Sequence, residues 1–210
     1  MAAKSLLADV LKVAERELKL LGFRKTKGVY IRDLTEEAVG WVGLNTASHR
    51  SDGRVGINPV VGVRHRNVES MLEEFMAEKD SGLPPTISTA VGYLMPEGCY
   101  MEWFYEPAPF DYESECGRMG KAVEVYGIPF MDSNGKLLEI VQDLETLRFV
   151  SKDAAVYKLP VAYILSGRGE SGTAYVENQL KELGARQDIA ARQYKTFASN
   201  LLLEAAASKW

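Results

Sequence analysis

The side chains with the most chemical potential in this 210-residue chain stand close together in its first third. Arg64-His65-Arg66 sets two guanidinium groups on either side of an imidazole, and Asn67 follows as a residue suited to cap a helix start. Two arginines can fork onto a phosphate or carboxylate, and the open amides of a helix start favour the same negative charge. His49-Arg50-Ser51-Asp52 contains the other histidine of the chain. If the sheet brought His49 and His65 together beside Asp52, they would offer a proton-transfer pair or two metal ligands. The spacing does not bring them together, so no metal is assigned. Arg64, His65, Arg66, His49 and Arg50 are therefore the candidate site for a small anionic ligand, set against the plainer reading of solvated strand ends and turns.

A second cluster joins aromatic faces to carboxylates: Glu102-Trp103-Phe104-Tyr105-Glu106, then Asp111, Glu113 and Glu115. Paired carboxylates do acid–base work only when one is desolvated and the two are held at a defined separation, which the spacing does not supply. Trp103 and Tyr105 alternate, so they face the core or a partner, while the acids mark a solvated helix start. Trp103, Tyr105, Asp111 and Glu113 form the candidate partner-binding surface. Gly167-Arg168-Gly169-Glu170-Ser171-Gly172 has the glycines of a phosphate cradle, but it follows a helical stretch and lacks the Lys-Ser/Thr ending, which makes it a helix-to-helix turn. There is no Gly-x-Ser-x-Gly elbow, and neither Cys99 nor Cys116 has a histidine nearby to activate it. No catalytic residue and no cofactor is assigned. Catalytic groups also assemble from distant segments, so enzymatic activity stays an open question that leans to no.

The elements that must position these residues follow from periodicity. Leu7, Val10, Leu11, Ala14, Leu18 and Leu21 recur at helical spacing, and Gly22 stands where a left-handed cap belongs. Strand-forming runs follow at Val29–Ile31, at Val39–Leu44 and at Val55–Val63, where Pro59 favours an edge position or a bulge. Ser51-Asp52-Gly53 supplies the turn before the third run. A short helix capped by Asn67 carries Val68, Met71, Leu72, Phe75 and Met76. Ile87–Leu94 and Cys99–Tyr105 then have strand composition on either side of Pro96-Glu97-Gly98. From Phe110 onward helical stripes take over, with Gly127-Ile128-Pro129-Phe130 as a linker and Pro160 as a local break in a helix. The expectation is an α+β chain: a helix and an antiparallel sheet of about four to five strands over 1–109, then a helical region over 110–210, packed as one compact unit.

Composition narrows the function classes. A net charge of −4 offers no positive field to gather phosphate backbones, which argues against nucleic acid. No apolar stretch approaches the roughly 20 residues of a membrane span. Met1-Ala2-Ala3-Lys4 leads directly into a charged amphipathic pattern, and the two cysteines show no framework spacing, so a cytoplasmic location with reduced thiols is expected.

Leu21-Gly22-Phe23-Arg24-Lys25, Trp41 to Asn45 and Gly56 to Val63, with Tyr126-Gly127-Ile128-Pro129-Phe130 and Tyr163-Ile164-Leu165-Ser166-Gly167-Arg168 downstream, carry a resemblance across most of the chain. This layout resembles a group of bacterial domains of unknown function in which a helix ending Leu-Gly-Phe-Arg/Lys-Lys precedes a tryptophan-bearing hairpin. The resemblance implies a fold and no catalytic residue. It also implies the setting of immunity or defence accessories that act by binding another protein. A non-catalytic protein-binding chain, suited by its acidity to a basic partner, is the leading expectation. An enzyme or sensor holding an anionic ligand near Arg64, His65 and Arg66 is the alternative.

Overall fold

The computed structural model describes residues 2–48, 53–76, 82–107 and 109–208. The expected turn at Ser51-Asp52 and the candidate residues His49 and Arg50 lie outside the described residues.

The first helix, α1 (Ala2–Leu20), ends as its glycine requires. Gly22 adopts φ +84°, its N–H donates to the Lys19 carbonyl, and the Phe23 N–H reaches back to the Leu18 carbonyl. Those two bonds satisfy carbonyls the helix end would otherwise strand, and the Leu18 and Phe23 side chains are both buried beside the cap. A short strand β1 (Arg24–Thr26) follows at once, hidden in the sequence because its charged residues are exposed. It pairs antiparallel with β2 (Val29–Asp33), which pairs with β3 (Ala38–Ser48).

The next strand, β4 (Val55–His65), lies between β3 and β5 (Ile87–Ala90), and β6 (Trp103–Tyr105) also pairs with it, completing a six-stranded sheet. The expected edge position for Pro59 is therefore corrected. The β6 ladder ends at Ile57, so the missing N–H of Pro59 breaks no bond to that strand. β4 is buried along nearly its whole length, on both faces, with glycines at 56 and 62 on the face opposite Val55, Ile57, Val61 and Val63. The predicted strand over Ile87–Leu94 is only half strand, because Val91–Leu94 curls into a 3-10 turn. Gly92 sits against the Cys99 carbonyl and the Met101 side chain, where a Cβ would collide with backbone.

Among the described residues no strand follows Tyr105, so the α+β reading holds with its change from strand to helix where the prolines place it. The helix α3 (Tyr112–Ala122) runs without a linker through a π-helical turn (Val123–Gly127) into α4 (Ile128–Ser133). The expected linker at Gly127–Phe130 is thus helical. The Ile128 N–H donates to the Val123 carbonyl, five residues back, and Pro129 follows at the start of α4, where an absent N–H costs little. Then come α5 (Leu137–Glu145), α6 (Lys152–Leu165), α7 (Gly169–Leu183) and α8 (Ile189–Ser208). Ser151 caps α6, its hydroxyl accepting from the Ala154 N–H at 3.3 Å, and Pro160 stays inside that helix rather than ending it.

Contacts group these elements into two compact units that do not follow chain order: residues 1–63 with 88–135, and residues 64–87 with 136–210. In the first unit α1 packs on α3, and α4 packs on β3, where Gly40 leaves room for the Met131 sulfur. In the second, α2 (Arg66–Met76) lies against α6 and α8, and α7 lies against both of those helices. Phe75, Tyr157, Tyr194 and Phe197 supply an aromatic core there of edge-to-face and tilted ring pairs, with centroids 5.1 to 6.2 Å apart.

Candidate functional site

The arginine–histidine segment does not stand on the surface. β4 passes directly into α2, so helix residues begin at Arg66 and Asn67 lies inside the first turn rather than capping it. Arg64 is buried, with Nη1 donating to the Pro84 carbonyl at 2.8 Å and Nη2 to Glu73 Oε1 at 3.0 Å. Its Nη1 is also 3.5 Å from Glu69 Oε2, and Glu69 is 2% exposed. On the other side of Glu69, Lys158 Nζ lies 3.3 Å from Oε1 and donates to the Pro85 and Thr86 carbonyls. The Thr86 hydroxyl donates to Glu69 Oε1 at 2.8 Å and accepts from the His65 backbone N–H at 3.0 Å. His65 is 1% exposed and Arg66 is half-buried. Two cations and two carboxylates balance here, and the Arg64 fork that an anionic ligand would need is already filled by Glu69, Glu73 and a backbone carbonyl.

The aromatic–acidic segment divides. Tyr105 is core: its hydroxyl donates to the Met119 sulfur at 3.7 Å and lies 3.6 Å from the Cys116 sulfur, which also faces the Val10 carbonyl. Burial pushes the Cys116 thiol up to about 11, and the Tyr105 hydroxyl bond only partly opposes this, so the thiol is inert at neutral pH. Asp111 is the N-cap of α3, accepting from the Ser114 N–H at 3.0 Å, and Glu113 pairs with Arg16 of α1. Both acids hold helices in place. Trp103 is buried as well, at 5% exposed, and differs from the other three in lining an open groove.

That groove, of about 390 Å³, is lined by Met95, Met101, Trp103, Val125 and Tyr126, with Glu97, Arg118 and Lys121 among its polar residues. Each wall has a local cause. Asn58 reaches from β4 to donate to the Met101 carbonyl at 2.6 Å, fixing the segment before β6, while the Gly92 contact fixes the other side of the Pro96-Glu97-Gly98 turn. The opposite wall is the π-helical turn, which carries Val125 and Tyr126. Its last residue, Gly127, packs so closely on Val61 of β4 that a Cβ would lie 2.9 Å from Val61 Cγ1. Val125 is largely exposed, as are Tyr93 and Tyr100 on the segments leading into the turn and out of it. Arg118 is held by Glu115 at 2.9 Å and Lys121 by Glu124 at 2.8 Å, whereas Glu97 makes no ion pair among the described residues. Met95, Met101, Val125 and Tyr126 had no functional signal in the sequence. The one available cue was a pair of methionines on either side of a proline–glycine turn, next to Trp103.

Among the described residues no group of histidine, cysteine, aspartate and glutamate side chains could hold a metal ion, and no helix is long and apolar enough to cross a membrane. No protein-family model matches the chain, and neither a curated protein nor a solved structure matches it.

Proposed function

We propose that this chain is a non-catalytic binding protein, and that its groove beside Trp103 takes an apolar anchor side chain of another protein. One observation carries the reading: methionine and aromatic side chains line a depression whose far wall is a π-helical turn. Methionine is flexible and polarisable and suits surfaces that adapt to a partner, and π turns occur often at functional sites. With both groove bases held by glutamates and Glu97 left over, the rim favours an anchor flanked by basic residues, in keeping with a net charge of −4. The resemblance to small bacterial accessory proteins supports the same direction and adds immunity or defence as its setting.

The test is affinity capture from the native host with the wild-type chain, Val125→Asp, Met101→Asp and the remote control Lys12→Ala. The expected result is a stoichiometric, salt-sensitive protein partner recovered by wild type and control and lost with both groove variants. Recovery of that partner by the groove variants, or no stoichiometric partner at all, overturns the proposal.

A further inference from the structure

The C-terminal end of α5, in the second unit, carries two costs at one place. Asp143 stands in the last turn of the helix and is 3% exposed, with Oδ2 buried and without a hydrogen-bond partner. Its other oxygen lies 3.8 Å from Nη1 of Arg148, beyond hydrogen-bonding distance, and that arginine side chain is mostly in solvent, its guanidinium over the Phe149 ring. A carboxylate here also stands at the negative end of the helix dipole. Four residues on, Leu147 holds φ +54°, a left-handed conformation that glycine adopts freely and leucine only under strain. Both features belong to the same cap. The Arg148 N–H donates to the Asp143 carbonyl at 2.9 Å and the Leu147 N–H to the Leu144 carbonyl at 3.4 Å, the paired bonds of a helix end that commonly closes on glycine.

Charge decides how firmly this cap holds. Burial raises the Asp143 carboxyl above its ordinary value, Arg148 opposes this only in part, and Glu139 adds to it. Among the described residues no other charge acts on it: of the charged side chains of α6, which packs on α5, Lys158 is engaged with Glu69, and neither Lys152 nor Asp153 contributes. Glu145, two residues on, is turned to Tyr163 and Arg168. We propose that the end of α5 is a proton-operated latch, closed when Asp143 is protonated and opening over 146–149 when Asp143 is ionised. With the folded value above the unfolded one, the stabilisation is complete at acid pH and is lost as pH rises through the folded value. Opening releases the carbonyls of Gln142, Asp143 and Leu144 and loosens the turn that carries Glu145 to Tyr163 and Arg168. The latch lies outside the groove described above and does not depend on the protein-binding proposal.

Amide hydrogen exchange of the full chain, resolved by residue and corrected for intrinsic rates, tests this from about pH 4 to about pH 8. Relative to amides of α8, protection of the Thr146, Leu147 and Arg148 amides should fall at least about threefold across that range, because a buried oxygen becomes charged and stays unpaired. Asp143→Asn should hold these amides at their acid protection throughout. Leu147→Gly should raise their protection about fivefold at every pH and keep the fall, since it relieves strain without touching the charge. Arg148→Gln, which removes the one nearby cation, should enlarge the fall. A wild-type fall under about threefold overturns the proposal, as does a fall in Asp143→Asn as large as in wild type or one left unchanged by Arg148→Gln.

Discussion

Replacing Glu69 with glutamine tests the buried charge cluster, because the amide keeps the shape and the Thr86 contact and removes only the charge. Arg64 and Lys158 stand 3.5 and 3.3 Å from the Glu69 carboxylate, so each attraction is worth about 5 kcal/mol gross at an effective dielectric near 20. Part of that returns, because an amide costs less to bury than a carboxylate, and Glu73 still balances one of the two cations. Removing one partner of a buried pair costs about 3–5 kcal/mol net, and we expect Glu69→Gln to fall in that range. For a chain of this length, with roughly 2–4 °C lost per kcal/mol, the melting midpoint should drop by about 10 °C. Urea and thermal unfolding followed by far-UV circular dichroism would read both values. Adding Lys158→Met in the Glu69→Gln background removes the stranded ammonium, so the double variant should lose less than the two single losses combined. A Glu69→Gln loss below about 1 kcal/mol, or simple additivity in the double variant, would refute the view that this cluster is a closed, mutually balancing network.

Two further outcomes follow from the surroundings of single groups. Cys99 is exposed and Cys116 is buried, with its thiol pushed up to about 11, so about one Cys116 in a thousand is ionised at pH 8. A maleimide should label one thiol rapidly in the folded chain and the second only on unfolding, and fast labelling of both would contradict the packing around Tyr105. The Glu15 carboxyl is lowered to about 2 by hydrogen bonds from Lys19 and then Lys25. Its folded pKa lies below the ordinary 4.5, so its small, salt-screened contribution is complete above that value and lost as pH falls towards 2. Urea midpoints of Glu15→Gln should lie below wild type at pH 7 and converge with it near pH 2; a constant gap across that range would show that the lysines do not act through charge.

What could be read from the sequence, and what could not, divides along the distance of the interactions involved. The α1 pattern and its Gly22 cap are local, since periodicity and a left-handed φ are decided within a few residues, and both were legible. The strand order from β2 through β4 was legible for the same reason. β1 was not, because its three charged and polar residues carry no apolar alternation and join the sheet through backbone pairing and an Arg24–Asp33 ion pair across to β2. The destination of Arg64 was hidden for a longer-range reason. Two basic residues beside a histidine read as surface unless Glu69 and Lys158 are known to meet them, and Lys158 comes from a helix far along the chain. Trp103 lines the groove, whereas Tyr105 and Asp111, from the same segment, serve the core and a helix cap. The groove has no local signature, since it is assembled from separate stretches of chain.

The π-helical turn between α3 and α4 changes the phase of the helix that contains it. One extra residue in a helix rotates everything beyond it by about 100°. α3 can therefore present Cys116 and Gly120 to α1 while α4, in the same continuous helix, presents Met131 to β3. Removing one residue from Val123–Gly127 would restore a regular helix and force one of those two faces to turn away from its neighbour. Val125 and Tyr126 lie within that turn, so the groove wall is where the mismatch between the two faces is taken up. A chain that keeps both packings cannot straighten this wall, though the identities of its side chains are free to vary.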